Sequence, residues 1–241
     1  MGTRADNFEK ALIGAGFGLA TKEQHQGETR AHTRDLPTVV RTEIAGLYRG
    51  LGGVRDDADF TAGAWDLATV DGLFIEFDEE LHFNRYREPT LRVPWVDRLP
   101  WSSAYRHYSA SGEAHCLRAC QANGWANPST DRMFGGSDRK GFFLDLGSSR
   151  WKQRALYDAV RDAYALHTPG IRLARVSIFD RTGGLEVGKA MNSGTPLDPA
   201  ALRDFIRART TGPLQPGGST NTSWQIHSER EPMTLTEAGR N

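Results

Sequence analysis

The sequence predicts an α/β fold with a mixed sheet flanked by helices, and three observations carry that expectation. Residues 37–51 and 149–166 each repeat apolar side chains at helical spacing. Between them, two apolar-rich runs flank Asp71-Gly72, the strongest two-residue hairpin signal a sequence offers. After the second helix, Ile171 to Phe179 reads as a strand, with Val176 and Ile178 giving it β-branched character. In chain order these segments fall into an αβββαβ arrangement.

The totals set the bounds. With 241 residues, 38% of them hydrophobic and 25% charged, the chain can bury one good core. No run approaches the ~18 apolar residues of a membrane span, so no membrane partner and a cytoplasmic location are expected. Cys116 and Cys120 are too few for a disulfide framework, and with His115 they offer at most half a zinc set, so a structural role is expected. The net charge is zero, which announces no nucleic-acid partner in bulk. Arginine outnumbers lysine, and arginine is the better fork for phosphate, so local distribution matters more than the total.

In order along the chain, residues 1–34 read as a polar N-terminal segment with a short apolar patch. Gly14, Gly16 and Gly18 lack the preceding strand that a nucleotide-binding turn needs. Pro37 opens a helix to about Leu51, with Val40, Ile44, Leu47 and Leu51 on one face and Gly52-Gly53 ending it. Glu43 borders that apolar face. Trp65 to Val70 and Leu73 to Phe77 form the hairpin. Residues 85–118 read as irregular structure with short helices, carrying six arginines against three acids and interleaved with Tyr86, Trp95, Trp101, Tyr105 and Tyr108. That mixture suits a strand-binding groove, with Arg85, Arg87 and Arg106 as phosphate contacts; it equally suits core aromatics beneath solvated arginines. Asn127-Pro128-Ser129 and Gly135-Gly136 mark a long loop. Helix 149–166 has an apolar face of Trp151, Ala155, Leu156, Ala159, Val160 and Ala163, with Lys152, Arg154, Asp158, Arg161 and Asp162 assigned to solvent. A further helix is expected over 198–209. From Thr210 onward glycine, proline, serine and charge dominate, predicting a disordered or weakly docked tail. The expected divisions are therefore 1–34, a core of 35–185 with an insertion at about 85–148, and a C-terminal helix and tail over 186–241.

The hairpin concentrates the chemistry. It sets Asp66 and Glu76 on adjacent strands, and strand alternation turns Glu76 and Asp78 to one face and Phe77 to the other. Like charges at 4 Å repel by about 4 kcal/mol at an effective dielectric near 20, so such a cluster implies a cation between the acids, or acids that are solvated and further apart.

The order helix, hairpin, helix, strand, with Asp66 followed by Glu76-Phe77-Asp78, resembles the PD-(D/E)XK (restriction-endonuclease-like) nuclease superfamily. Glu76-Phe77-Asp78-Glu79-Glu80-Leu81-His82 is similar to the E-x-D-G-x-x-H segment of its very-short-patch-repair-like branch, with Glu79 in place of glycine. Gln153-Arg154-Ala155-Leu156-Tyr157 fits the Q-x-x-x-Y motif of RecB-type relatives. The usual lysine of E-x-K is replaced by Asp78, and Trp65 rather than proline precedes Asp66. The resemblance implies a Mg²⁺- or Mn²⁺-dependent nuclease acting on nucleic acid, DNA by preference. Asp66, Glu76 and Asp78 would be metal ligands, with Glu43 as a further one. Lys152 would supply the missing ammonium, Gln153 would position a water, and Tyr157 would hydrogen-bond into the same site. His82 would be a ligand, a phosphate contact or an acid for the leaving group. Two other classes remain open: a nuclease-like module that binds nucleic acid or protein without cutting, and a metal-independent hydrolase using Asp66 and Glu76 as an acid/base pair.

Overall fold

Phe8 and Leu12, one helical turn apart, explain why the N-terminal residues fold onto the protein. In a computed structural model describing residues 3–21, 24 and 30–212, helix α1 (Thr3–Gly14) buries both completely, and Phe8 stacks on Phe77 of the hairpin at 4.4 Å. The expected polar segment is therefore part of the core. The chain then runs beside the hairpin, where Ala20 N–H donates to Ala68 O at 2.9 Å and Val70 N–H to Gly18 O at 2.8 Å. Helix α2 (Thr38–Gly50) buries Val40, Ile44 and Tyr48. Strands β1 (Leu67–Ala68) and β2 (Leu73–Asp78) pair antiparallel, and Gly72 takes φ 80° in the turn, a conformation strained for any residue with a Cβ.

Between β2 and the long helix, the chain forms short helices: α3 (Arg87–Thr90), α4 (Ser102–Ser111), α5 (Glu113–Ala119), α6 (Ala122–Trp125) and α7 (Pro128–Phe134). The loop expected at 127–136 is mostly α7. Asn127 caps it by accepting from Ser129 and Thr130 N–H, Pro128 occupies the first turn, and Gly135 closes it at φ 76°; loop residues here are helix punctuation. The insertion has a small apolar cluster of its own, Cys116, Cys120 and Trp125 against Trp151 of the long helix, but most of it joins the main core. Phe83, Leu91, Trp95, Trp101, Tyr105 and Phe134 share one apolar cluster with Val40, Ile44, Leu156 and Val160.

Helix α8 (Ser149–His167) is capped by Ser148, whose Oγ accepts from Trp151 N–H at 3.1 Å. It crosses over to β3 (Arg172–Ser177), which lies parallel to β2 with Glu76 opposite Arg175 and Asp78 opposite Ser177. The small ribbon β4 (Arg181–Thr182) and β5 (Leu185–Glu186), then α9 (Val187–Ser193) and α10 (Pro199–Ala208), follow. Thr211 N–H donates to Leu173 O at 2.8 Å, so the chain after α10 lies along the free edge of β3. Residues beyond 212, which hold almost all of the expected tail, lie outside the described residues.

The protein is thus α/β, with a mixed sheet ordered β1-β2-β3 between two helical layers. The αβββαβ expectation asks for one strand more than this sheet has among the described residues. Period two divides its faces. Leu73, Ile75, Phe77, Ala174 and Val176 pack with Phe8, Leu12, Val187, Met191, Leu202 and Ile206 of α1, α9 and α10. Phe74, Glu76, Asp78, Leu173, Arg175 and Ser177 occupy the alternate positions, and Glu76 and Arg175 pair with charged residues of α8. No described helix is long and apolar enough to cross a membrane.

If α1 is a core element, Phe8→Ala should destabilise the protein by roughly 3–5 kcal/mol in chemical denaturation, because a fully buried ring is lost. A change below 1 kcal/mol would show that α1 is only an appendage.

Candidate active site

Arg175 is the unexpected centre of the polar face. Its side chain is fully buried in the middle of β3. Nη1 donates to both oxygens of Asp78, at 2.9 and 2.8 Å, Nε donates to Asp162 Oδ1 at 2.6 Å, and Nη2 lies 3.3 Å from Asp158 Oδ1. Asp158 and Asp162 are one turn apart on α8, so the helix presents both to one guanidinium. Arg87, 1% exposed, donates to the second oxygen of Asp162 at 2.6 Å. Burial opposes ionisation of Arg175, but Asp162, Asp78 and Asp158 outweigh it and raise its pKa well above the usual value.

His82 completes this layer at its more open side. The residue follows β2 in a single 3₁₀ turn, Glu80–His82. Its Nδ1 lies 2.8 Å from Asp158 Oδ2 and 3.1 Å from Asp78 Oδ1, and its side chain keeps 20% of its surface exposed. Tyr105 Oη donates to Asp78 Oδ2 at 2.7 Å. Burial works against ionisation of both acids, yet Arg175 and His82 hold Asp78 below the usual carboxylate range, and His82 and Arg175 hold Asp158 well below it. Asp78, His82 and Asp158 bring three potential metal-ligating atoms within 4.8 Å of one another.

Glu76 and Asp66 behave in the opposite way. Asp66 precedes β1, where its Oδ2 accepts from Phe77 N–H at 2.9 Å and its own N–H donates to Glu76 Oε1 at 3.2 Å. Glu76 is 2% exposed, and its nearest cations are Arg161 Nε at 3.6 Å and Arg175 Nη1 at 3.9 Å, too far for short hydrogen bonds. Burial, reinforced by the charge of Asp66, pushes Glu76 up to about 8. Asp66 is raised too, by enclosure of its carboxyl end and by Asp78, although the residue as a whole lies at the surface and marks the mouth of the layer. Arg161 ties this mouth to α8, Nη2 donating to Ala64 O at 3.0 Å, and its Nε is buried without a hydrogen-bond partner.

The structure therefore gathers Asp66, Glu76, Asp78 and His82, and it does not bring the other expected residues to them. Lys152, assigned to solvent in the sequence, is buried with Nζ 5.7 Å from the rings of Tyr86 and Phe134, and burial lowers its pKa. It cannot replace the missing lysine from there. Gln153 and Tyr157 do share a face, but it turns to Met133: Gln153 Nε2 donates to Met133 Sδ at 3.2 Å, and Tyr157 Oη to the same sulfur at 3.8 Å. Glu43 lies near His167 at the end of α8. Asp78 spends both oxygens on Arg175, so it anchors the guanidinium and is no free ligand. Arg87, expected at a phosphate, is enclosed with Asp162. Arg85 is surface-exposed but forks onto Glu113 at 2.7 and 2.6 Å over the ring of Phe143, and Arg106 pairs with Asp97 and the Leu91 carbonyl. Cys116 is buried, its Sγ donating to Glu80 O and Phe83 O, and burial pushes the thiol up to about 12, which does not suit a zinc thiolate.

The sequence reading missed Arg175, Asp158 and Asp162. Their signal was present: Arg175 sits mid-strand in an otherwise apolar run, while Asp158 and Asp162 continue the Trp151-Ala155 stripe by three and four residues. A family model matches residues 46–193, more than half of the chain. The chain belongs to the DUF7255 family. That family is described as one of unknown function. No curated protein and no solved structure matches the chain. The DUF7255 region begins inside α2 and ends with α9, so it contains every residue of the charged layer, while α1 and α10 lie outside it.

Two outcomes follow from this electrostatic layout. Arg175→Met should cost roughly 3–5 kcal/mol, because it leaves three buried carboxylates short of a cation; a neutral result in denaturation would refute the hub. Glu76 carries the other. Its carboxyl rises from the ordinary 4.5 to about 8 in the fold, so the folded state holds that proton more tightly. Its contribution to stability is complete below about pH 4.5 and is lost as pH rises through 8. Glu76→Gln should therefore gain on wild type as pH rises from 5 to 9, by at most roughly 4–5 kcal/mol at 1.36 kcal/mol per unit. A constant difference in melting temperature across that range would contradict the assignment.

Proposed function

We propose that this protein is a metal-dependent nuclease with a restriction-endonuclease-like core, hydrolysing phosphodiester bonds of nucleic acid, DNA by preference. The observation that carries this reading is the Asp66–Glu76 pair. Two carboxyls, one just before β1 and one on β2, sit at the open edge of a buried charged layer, and burial raises the pKa of both, with Arg161 and Arg175, at 3.6 and 3.9 Å from Glu76, offsetting it only in part. A divalent ion supplies the charge that such a pair lacks. Asp78 and Asp158 fit an ion less well, since Arg175 and His82 already compensate them. Further support comes from the antiparallel β1–β2 hairpin, with β3 added in parallel through α8, which agrees with the resemblance over those segments.

Asp66 and Glu76 would hold Mg²⁺ or Mn²⁺, which lowers the pKa of a bound water and offsets charge on the phosphorane. The chain's own groups do the rest. Arg161, tethered to the Ala64 carbonyl, keeps a positive charge beside Glu76 for the phosphate. His82 has Nδ1 fixed by Asp158 and Asp78, which leaves Nε2 to pass a proton to the departing oxygen. A second reading, a nuclease-like module that binds without cutting, is favoured by one observation: the lysine of the E-x-K pattern is absent and Lys152 is held elsewhere.

Cleavage assays with Mn²⁺ on single- and double-stranded DNA and RNA decide between them. The expected result is metal-dependent hydrolysis that falls by on the order of a hundredfold or more in Asp66→Ala and Glu76→Ala, with Lys152→Ala within about tenfold of wild type. Wild type and Glu76→Ala behaving alike would leave the non-cutting module. Hydrolysis that persists in a chelator would point to an acid/base pair without metal.

A further inference from the structure

Beyond the carboxyl ends of β2 and β3 lies a cavity of about 260 Å³ lined by His107, Tyr108, Ser111, Gly112, His115 and Phe179. Four of these six residues carry aromatic rings, contributed by α4, α5 and the turn after β3. Tyr108 meets Phe179 at 5.6 Å, His115 meets Phe179 at 5.5 Å, and His107 meets Tyr108 at 6.0 Å, at interplanar angles of 52°, 71° and 62°. No pair is stacked face to face, so the rings do not consume one another's flat surfaces. Gly112 lets the wall pack closely on Phe83: a Cβ there would lie 2.6 Å from the Tyr108 carbonyl and 2.8 Å from Phe83. The wall is held in place, because Tyr108 Oη donates to Asp180 Oδ1 at 2.9 Å and Phe83 packs edge-on against both Tyr108 and Phe179.

The cavity adjoins the acid layer. Ser177, two residues before Phe179, is paired with Asp78, and Ile178 N–H donates to Asp78 O at 3.1 Å. Tyr105 bridges the two places, with its hydroxyl on Asp78 and its ring 6.2 Å from that of Tyr108. Open α/β sheets receive their ligands in this position, outside the carboxyl ends of parallel strands.

We propose that this cavity is a subsite for an unpaired nucleobase flanking the phosphodiester that Asp66 and Glu76 engage. The inference deepens the nuclease reading and rests on it for the identity of the guest. A base offers a planar π-face to the rings, and His107, His115 and Ser111 offer polar atoms to its edge. Bases inside a duplex are stacked and shielded, so the substrate class is single-stranded or locally unpaired nucleic acid.

The test uses full-length Glu76→Gln protein in a chelator, so that neither cleavage nor metal enters. Fluorescence anisotropy would follow binding of a short single-stranded oligonucleotide and of the same strand made abasic. His115→Ala should weaken binding of the intact strand by about tenfold, leave the abasic strand unchanged, and be rescued by His115→Phe, which restores a ring without the imidazole nitrogens. Melting temperature confirms that these surface substitutions keep the fold. Equal losses on both strands, failure of His115→Phe to rescue, or no binding of the intact strand would each overturn the subsite. Cleavage retained by wild type alongside any of those results would refute the subsite and spare the nuclease reading.

Discussion

The guanidinium of Arg175 is the constraint on which the rest of the structure depends. A cation at 0% exposure costs several kcal/mol in lost hydration, and only carboxylates in close geometry offset that cost. Asp78 comes from the neighbouring strand, and Asp158 and Asp162 come from the helix above. One ion therefore fixes the register of β3 against β2 and the height and rotation of α8 over the sheet together. A slip of one residue in either would leave buried charges unpaired.

This arrangement gives the sheet two unlike faces. Against α1, α9 and α10 it presents Leu73, Ile75, Phe77 and Val176, and the interface is apolar. Against α8 it presents Glu76, Asp78 and Arg175 beside Phe74 and Leu173, so an ionic layer is set into apolar packing. Within that ionic layer the acids divide. Asp78 and Asp158, beside both Arg175 and His82, are held below the usual carboxylate range, whereas Glu76 and Asp66, at the edge, are pushed up by burial. Neighbouring acids with pKa values driven apart are the arrangement in which one group stays charged while another exchanges a proton or accepts a cation near neutral pH. The partly compensated pair also lies where Asp66 opens to solvent, so its electrostatic strain and its accessibility coincide.

Much of the fold was legible because local chemistry and tertiary structure agreed there. The helix from Thr38, the turn at Asp71-Gly72, the long helix from Ser149 and the strand near Ile171 each carry a periodic pattern and a stop signal that no packing partner overrides. Helix α1 was obscured because only Phe8 and Leu12 mark its buried face, too few for periodicity to stand out among polar neighbours. Asn127-Pro128 misled because the residues that open a helix are also those that make a turn.

The site divides in the same way. Sequence by itself determined that Asp66, Glu76 and Asp78 gather, because a tight hairpin fixes its own register and strand alternation fixes the face, while His82 was named only through the resemblance. It could not determine which of those acids would be compensated. Charged residues on an amphipathic helix ordinarily face water, so Asp158 and Asp162 read as solvent groups, and only the docking of α8 over Arg175 turned them inward. The same docking turned Lys152, Gln153 and Tyr157 away from the acids. Local pattern sets which residues share a face; which face meets which is a property of long-range packing, and here one buried arginine decided it.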